Sequence, residues 1–71
     1  MQDEVYEGTV AWFKNSYGFI RPDNRHEDLF CHQTAIRMKG HRTLREGQRV
    51  SYKVVQGEKG PQADEVIVLE V

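Results

Sequence analysis

The residues of this chain with chemistry to offer are flat rings. Five of its seven aromatic residues, Trp12, Phe13, Tyr17, Phe19 and Phe30, fall between positions 12 and 30, and only Tyr6 and Tyr52 lie outside. His32 adds an imidazole beside them. Every nucleobase has a π-face, and a base stacked on an aromatic side chain gains about 1–3 kcal/mol with no need for a high net positive charge. Catalysis asks for something else: a nucleophile with its base, or a paired acid and base, in a shielded pocket. Nothing in the sequence assembles one, so no catalytic residue, no cofactor and no small-molecule substrate is expected. No metal site is expected either. Cys31 and His32 are neighbours that point to opposite faces of an extended chain, and neither His26 nor His41 supplies a ligand spacing that completes a zinc set.

These rings must be held by a very small domain. The chain has 71 residues, enough for one domain spanning 1–71, with a core expected over about residues 5–69. A domain of this size buries only roughly 60% of the surface its unfolded chain exposes, so large apolar residues spent on the surface need a reason. Cys31 is the single cysteine and rules out an intramolecular disulfide, which fits a reducing, cytoplasmic setting. The acidic start, Met1-Gln2-Asp3-Glu4, has no apolar run behind it and does not read as a secretory signal, and no stretch approaches the length of a membrane span. The formal net charge is −1. Its distribution is uneven: Arg37, Lys39, Arg42, Arg45 and Arg49 stand against Glu46 alone, with His41 among them. Such a run is either a solvated face or a surface that steers phosphates.

Turn signals come often, at Asn15-Ser16, Pro22-Asp23-Asn24, Gly40, Gly47 and Gly57-Glu58-Lys59-Gly60-Pro61. Between them lie short runs rich in β-branched and aromatic residues, and no segment keeps an apolar stripe at helical period for three turns. Five strands are expected, at about Val5 to Phe13, Tyr17 to Arg21, Asp28 to His32, Arg49 to Val55 and Ala63 to Leu69, with a single helical turn at Thr34 to Arg37. Side chains alternate across a strand. Tyr17 and Phe19 therefore share one face, opposite Gly18 and Ile20, while Phe30 and His32 share one, opposite Leu29 and Cys31. If the aliphatic faces turn inward, the rings turn to water. The inverse stays open on alternation alone, but it would crowd Trp12, Tyr17, Phe19 and Phe30 into a very small barrel and expose Ile20, Leu29 and Cys31 together. Five strands with one long, basic, Gly-containing connection, from Arg37 to Gly47, outline an all-β, five-stranded antiparallel OB-fold barrel.

Five segments in order resemble the cold-shock domain family over about Tyr6 to Val66. Gly8-Thr9-Val10-Ala11-Trp12-Phe13 is similar to its opening, Ser16-Tyr17-Gly18-Phe19-Ile20 to its first ribonucleoprotein motif, and Leu29-Phe30-Cys31-His32 to its second. Leu44-Arg45-Glu46-Gly47-Gln48-Arg49-Val50 and Gly57-Glu58-Lys59-Gly60-Pro61-Gln62-Ala63 resemble its later strands and turn. His32-Gln33-Thr34-Ala35-Ile36 reproduces a run of the eukaryotic Y-box branch, whereas Gly60-Pro61-Gln62-Ala63 looks more like bacterial members. The resemblance implies an OB-type barrel that binds single-stranded RNA or DNA. It implies stacking on Trp12, Phe19, Phe30 and His32 with Tyr17 beside them, and base-edge or phosphate contacts from Asp28, Lys59 and Gln62. Lys14 joins them as a nearby cation, along with Arg21 and Lys53, and Gln33 stands where bacterial members carry Phe. The chain departs from the pattern in its short Lys14-Asn15-Ser16 connection, in Ala11 before the tryptophan where Lys is usual, in Gln33 and in His41.

Together these readings anticipate a monomeric binder of single-stranded nucleic acid that acts as an RNA chaperone and regulator of gene expression. The alternative is a small β-barrel protein-interaction module. An RNA-recognition-motif domain is disfavoured, because that fold needs two helices and carries its two motifs in the opposite order.

Overall fold

Alternation of small aliphatic with bulky side chains does build five strands. The computed structural model describes residues 4–24, 27–58 and 60–69. The strands are β1 (Tyr6–Lys14), β2 (Tyr17–Pro22), β3 (Leu29–His32), β4 (Arg49–Gly57) and β5 (Gly60–Val68), and one turn of 3-10 helix, Gln33–Ala35, follows β3. Among the described residues no helix is long and apolar enough to cross a membrane. β5 starts three residues earlier than the turn residues foretold, with Gly57 and Gly60 paired across the hairpin. Pro61 is tolerated because it lies at the very start of its strand, where a missing N–H costs the ladder little.

The strands close in the order β1-β2-β3-β5-β4, with β4 returning to β1. One ladder departs from the all-antiparallel expectation. β3 and β5 run parallel, joined at Phe30 and Gln62 and extended by a parallel bridge from Ile36 to Val66. Parity demands it. Directions cannot alternate all the way round a closed ring of five, so one neighbouring pair must point the same way.

The interior is filled from every strand: Val10, Ile20, Leu29, Cys31, Val50 and Val66 are all buried. Ile36 and Leu44, from the segment between β3 and β4, join the same core. Two bulges keep the alternation in step with the curvature. On β1 the pairing with β2 slips between Val10 and Trp12, and on β5 it slips opposite Ser51 and Lys53, where Glu65 adopts a φ of 47°. A bulge inserts one residue and so reverses the face of every side chain after it. That is why Ala63 and Val66, three apart, both point inward.

An ion-pair cluster fastens one end. The Arg49 guanidinium donates to both carboxylate oxygens of Asp23, at 2.8 and 2.7 Å, to Thr9 Oγ1 at 2.9 Å and to Glu7 at 3.4 Å. It thereby ties β1, β4 and the turn after β2. This fork-to-carboxylate bond holds the Asp23 carboxyl below its usual value of 3.8 and raises the guanidinium above its own usual value.

Candidate nucleic-acid interface

The bulge at Ala11 decides where Trp12 goes. Unbroken alternation from buried Val10 would send Trp12 inward. The extra residue instead sets Trp12 opposite Phe19 on the outer face and turns Phe13 toward the core. The two-residue turn at Asn15-Ser16 is as tight as the sequence indicated. Asn15 supplies the positive φ, 61°, that this turn needs, and Lys14 is thereby paired with Tyr17.

Strand register then lays the site out as two rows on the outer surface. Trp12, Phe19, Phe30 and Gln62 line up across β1, β2, β3 and β5, and Lys14, Tyr17 and His32 form a shorter row beside them. At the usual spacing of about 4.8 Å between strands, the longer row spans roughly 14 Å. The rings touch in a continuous chain. Centroids are 5.6 Å apart for Trp12 and Tyr17, 5.4 Å for Trp12 and Phe19, 5.7 Å for Tyr17 and Phe30 and 5.9 Å for Phe19 and Phe30. Trp12 is 41% exposed and Tyr17 43%, while Phe19, Phe30 and His32 are half-buried. The outward assignment of the rings therefore holds and its inverse does not. The planes meet at 31–76°, so the surface offers separate faces at different tilts, each for its own base, rather than one flat floor.

The rows depend on close approach. A Cβ at Gly18 would lie 2.2 Å from the Trp12 carbonyl oxygen and 2.6 Å from Phe13 Cα, so only glycine lets β2 sit this near β1 behind the rings. Gly57 plays a similar part for Gln62, whose side chain fills the space a Cβ there would need.

His32 is oriented by its own chain. The backbone N–H of Thr34 donates to Nδ1 at 3.2 Å, and Thr34 Oγ1 lies 3.1 Å from the same atom. A backbone N–H can only donate, so Nδ1 accepts and the ring proton sits on Nε2. His32 therefore brings a hydrogen-bond donor as well as a π-face. Thr34 belongs to the run His32-Gln33-Thr34-Ala35-Ile36 in the sequence, but its part in orienting the imidazole shows only in the fold.

Shallow grooves flank Phe30 on both sides. Glu27, Asp28 and Pro61 border the one beside Trp12, Tyr17 and Phe19, and Thr34, Gln56 and Glu58 border the one beside His32 and Gln62. Glu58 and Pro61 belong to the turn signal before β5, Glu27 stands beside Asp28 ahead of β3, and Gln56 reaches the groove through the pairing of β4 with β5.

Several cations expected near phosphates are already engaged. Arg21 pairs with Asp28 at 3.5 Å, Lys53 with Glu65 at 3.4 Å, and Arg37 with Asp64 at 3.7 Å. Arg49, the end of the basic run, is held by Asp23 and Glu7. Lys14 is exposed and in no ion pair among the described residues. Asp28 is at the groove edge but shared with Arg21. Gln33 contributes its backbone: its N–H donates to Ser16 O at 2.7 Å, tying the β1–β2 turn to the 3-10 turn. Lys59, and with it His26, lies outside the described residues. Cys31 is fully buried, and burial pushes its thiol up to about 12, with the nearby Asp64 charge adding to the effect. It behaves as a small hydrophobe.

Comparison with known proteins agrees with this geometry. The sequence profile of the 'Cold-shock' DNA-binding domain matches residues 6–69. The cold shock-like protein CspA of Stigmatella aurantiaca is 52% identical over 61 residues, covering 83% of this chain and 90% of that protein. The cold shock-like protein CspD of Vibrio cholerae is 49% identical over 65 residues, covering 89% of this chain and 86% of that protein. Among solved structures, drosophila Unr CSD456 superposes with a TM-score of 0.82 at 28% identity; the match covers 94% of this chain and 27% of that longer one. With its closed five-stranded barrel, its outward rows of rings and a family match across nearly its whole length, the chain belongs to the cold-shock domain family of nucleic-acid-binding proteins.

Proposed function

We propose that this protein binds single-stranded RNA or DNA by stacking successive bases on Trp12, Tyr17, Phe19, Phe30 and His32, and that it acts as an RNA chaperone. The carrying observation is the unbroken chain of ring contacts, 5.4–5.9 Å between centroids, on the outer face of the first three strands. Gln62 and the Nε2 donor of His32 address base edges, and Lys14 and Lys59 address phosphates. Asp28 borders the same surface and accepts from an exocyclic amine when it leaves Arg21, and Gln33, next to His32 in the chain, is the remaining contact to a base or phosphate.

A duplex hides its base faces, so it binds poorly. By holding bases that open transiently, the protein shifts weak hairpins toward the single strand without ATP and without a catalytic step. It works as a monomer in the cytoplasm, a reading supported by the closed barrel, which leaves few strand edges to pair with a second copy, and by the buried lone thiol.

The test is a titration of Trp12 fluorescence with single-stranded RNA, single-stranded DNA and a duplex of matched length, together with hairpin melting in the presence of the protein. Strong quenching by both single strands, weak quenching by the duplex and a lowered hairpin melting temperature are expected. Equal quenching by the duplex, or quenching by a proline-rich peptide alone, would overturn the stacking mechanism, and an unchanged hairpin at saturation would overturn the chaperone role.

A further inference from the structure

A polar row crosses the outer face beside the two rows of rings. On β2 the alternation that turns Tyr17 and Phe19 outward turns Arg21 outward as well, while Gly18, Ile20 and Pro22 are buried. In the register of β2 with β3, Phe19 faces Phe30 and Ile20 faces Leu29. One step further along, Asp28 comes opposite Arg21. The Arg21–Asp28 pair is thus the next cross-strand pair after Phe19 and Phe30 on the same face. On β1 Arg21 is paired with Thr9, whose hydroxyl is already taken by Arg49.

The pair is loosely made. Arg21 Nε donates to Asp28 Oδ1 at 3.5 Å, the outer limit of a hydrogen bond, and the Arg21 side chain stays 69% exposed. Neither side chain makes another hydrogen bond or ion pair among the described residues. Oδ2 of Asp28 and both Nη groups of Arg21 are therefore open to a ligand. An exposed pair of this kind separates at little cost, a factor of about 5 at most in an equilibrium constant. Asp28 borders the groove lined by Trp12, Tyr17, Phe19 and Phe30. A base stacked in that groove has its edge near a group that only accepts, the carboxylate, and one that only donates, the guanidinium.

We infer that Arg21 and Asp28 form a two-way reading edge: Asp28 accepts from the exocyclic amine of cytosine or adenine, and Arg21 donates to the carbonyl of uracil or thymine at the same place. This deepens the single-strand reading and rests on it. Arg21 is then a specificity residue, and its effect is to keep the protein tolerant of mixed sequences. Whichever base arrives, one partner lets go and serves it. Removing either partner leaves an edge of one kind. A lone carboxylate repels a carbonyl oxygen and favours the amine, and a lone guanidinium does the reverse.

The experiment titrates wild type, Arg21→Met and Asp28→Ala with oligodeoxycytidylate and oligodeoxyuridylate of about six nucleotides, which differ at the amine and carbonyl in question. The quantity read is the ratio of the two affinities, because a lost cation weakens both oligomers alike. Arg21→Met should shift the ratio toward cytidylate by about 2- to 5-fold, and Asp28→Ala should shift it toward uridylate by a similar factor. The double variant should return it close to the wild-type value. A ratio unchanged in both single variants, or moved the same way in both, would overturn the proposal and leave stacking on the rings intact. Urea unfolding checks that each variant folds; if Arg21→Met does not, Arg21→Glu takes its place, with a shift toward cytidylate at least as large. A wild type that binds neither oligomer would sink the single-strand reading and the edge with it.

Discussion

Gly18→Ala tests whether the rings are positioned by the close approach of β1 and β2. The added Cβ would meet the Trp12 carbonyl oxygen at 2.2 Å, Phe13 Cα at 2.6 Å and Phe13 Cδ2 at 2.8 Å. Ordinary carbon contacts begin near 3.5 Å, so the closest one is too short by about 1 Å. Two of the three atoms are backbone and cannot rotate away. Relief requires β1 to part from β2 where Trp12 faces Phe19 and Phe13 faces Gly18. Overpacking of this kind costs about 1–3 kcal/mol, and the backbone obstruction places this case at the upper end. A domain of this length has only about 4–10 kcal/mol in total. With a urea slope near ~1 kcal/mol/M for a small protein, the unfolding midpoint should fall by about 3 M. Whatever fraction stays folded should also bind an oligonucleotide more weakly, by about one stacking contact or 1–3 kcal/mol, because the Trp12–Phe19 junction is displaced. Urea unfolding followed by far-ultraviolet circular dichroism, with oligonucleotide titration under native conditions, reads both quantities. An alanine variant with the wild-type midpoint and affinity would show that the rings do not depend on the close approach of β1 and β2.

Two other groups give pH-dependent outcomes. Arg49 holds the Asp23 carboxyl below 3.8, so this pair stabilises the fold at pH above that value and loses its effect as pH falls through the lowered native one. Asp23→Asn should therefore be less stable than wild type at neutral pH, with a gap that closes in acid; a gap independent of pH would contradict the pairing. The Cys31 thiol is raised from 9.0 to about 12, so its burial favours the fold below pH 9 and ceases to do so as pH climbs toward 12. Cys31→Ala should accordingly flatten the alkaline loss of stability measured by urea midpoints. In the wild type a thiol reagent should label Cys31 only in step with the unfolded fraction, and fast labelling of the native protein would contradict its burial.

The sequence spoke clearly about faces and less clearly about junctions. Ile20, Leu29 and Cys31 against rings at Phe19, Phe30 and His32 divide β2 and β3 into two faces, because a two-residue period leaves no third choice; which face turns inward rests on the crowding that the rings would cause inside so small a barrel. Trp12 is where simple alternation fails: Val10 and Trp12 share a parity, and only the bulge at Ala11 separates their faces. Bulges answer to barrel curvature, which no local pattern encodes. That one ladder is parallel follows from a closed ring of five strands, but that it joins β3 to β5 depends on the strand order, which no local pattern encodes. The ion pairs were hidden for a different reason. Arg49 finds Asp23 26 residues away and Glu7 42 away, so charge counting along the chain treats as available a cation the fold has already used.

Whether the rings face outward to receive bases is decided by comparing Phe30→Ala with Ile20→Ala for stability and for oligonucleotide affinity. Phe30 is half-buried with ring neighbours on the outer face, while Ile20 is fully enclosed. Phe30→Ala should weaken binding by about 1–3 kcal/mol and cost less stability than the ~2–5 kcal/mol expected of Ile20→Ala. A Phe30→Ala variant that unfolds as readily as Ile20→Ala, yet binds normally whenever it is folded, would contradict it.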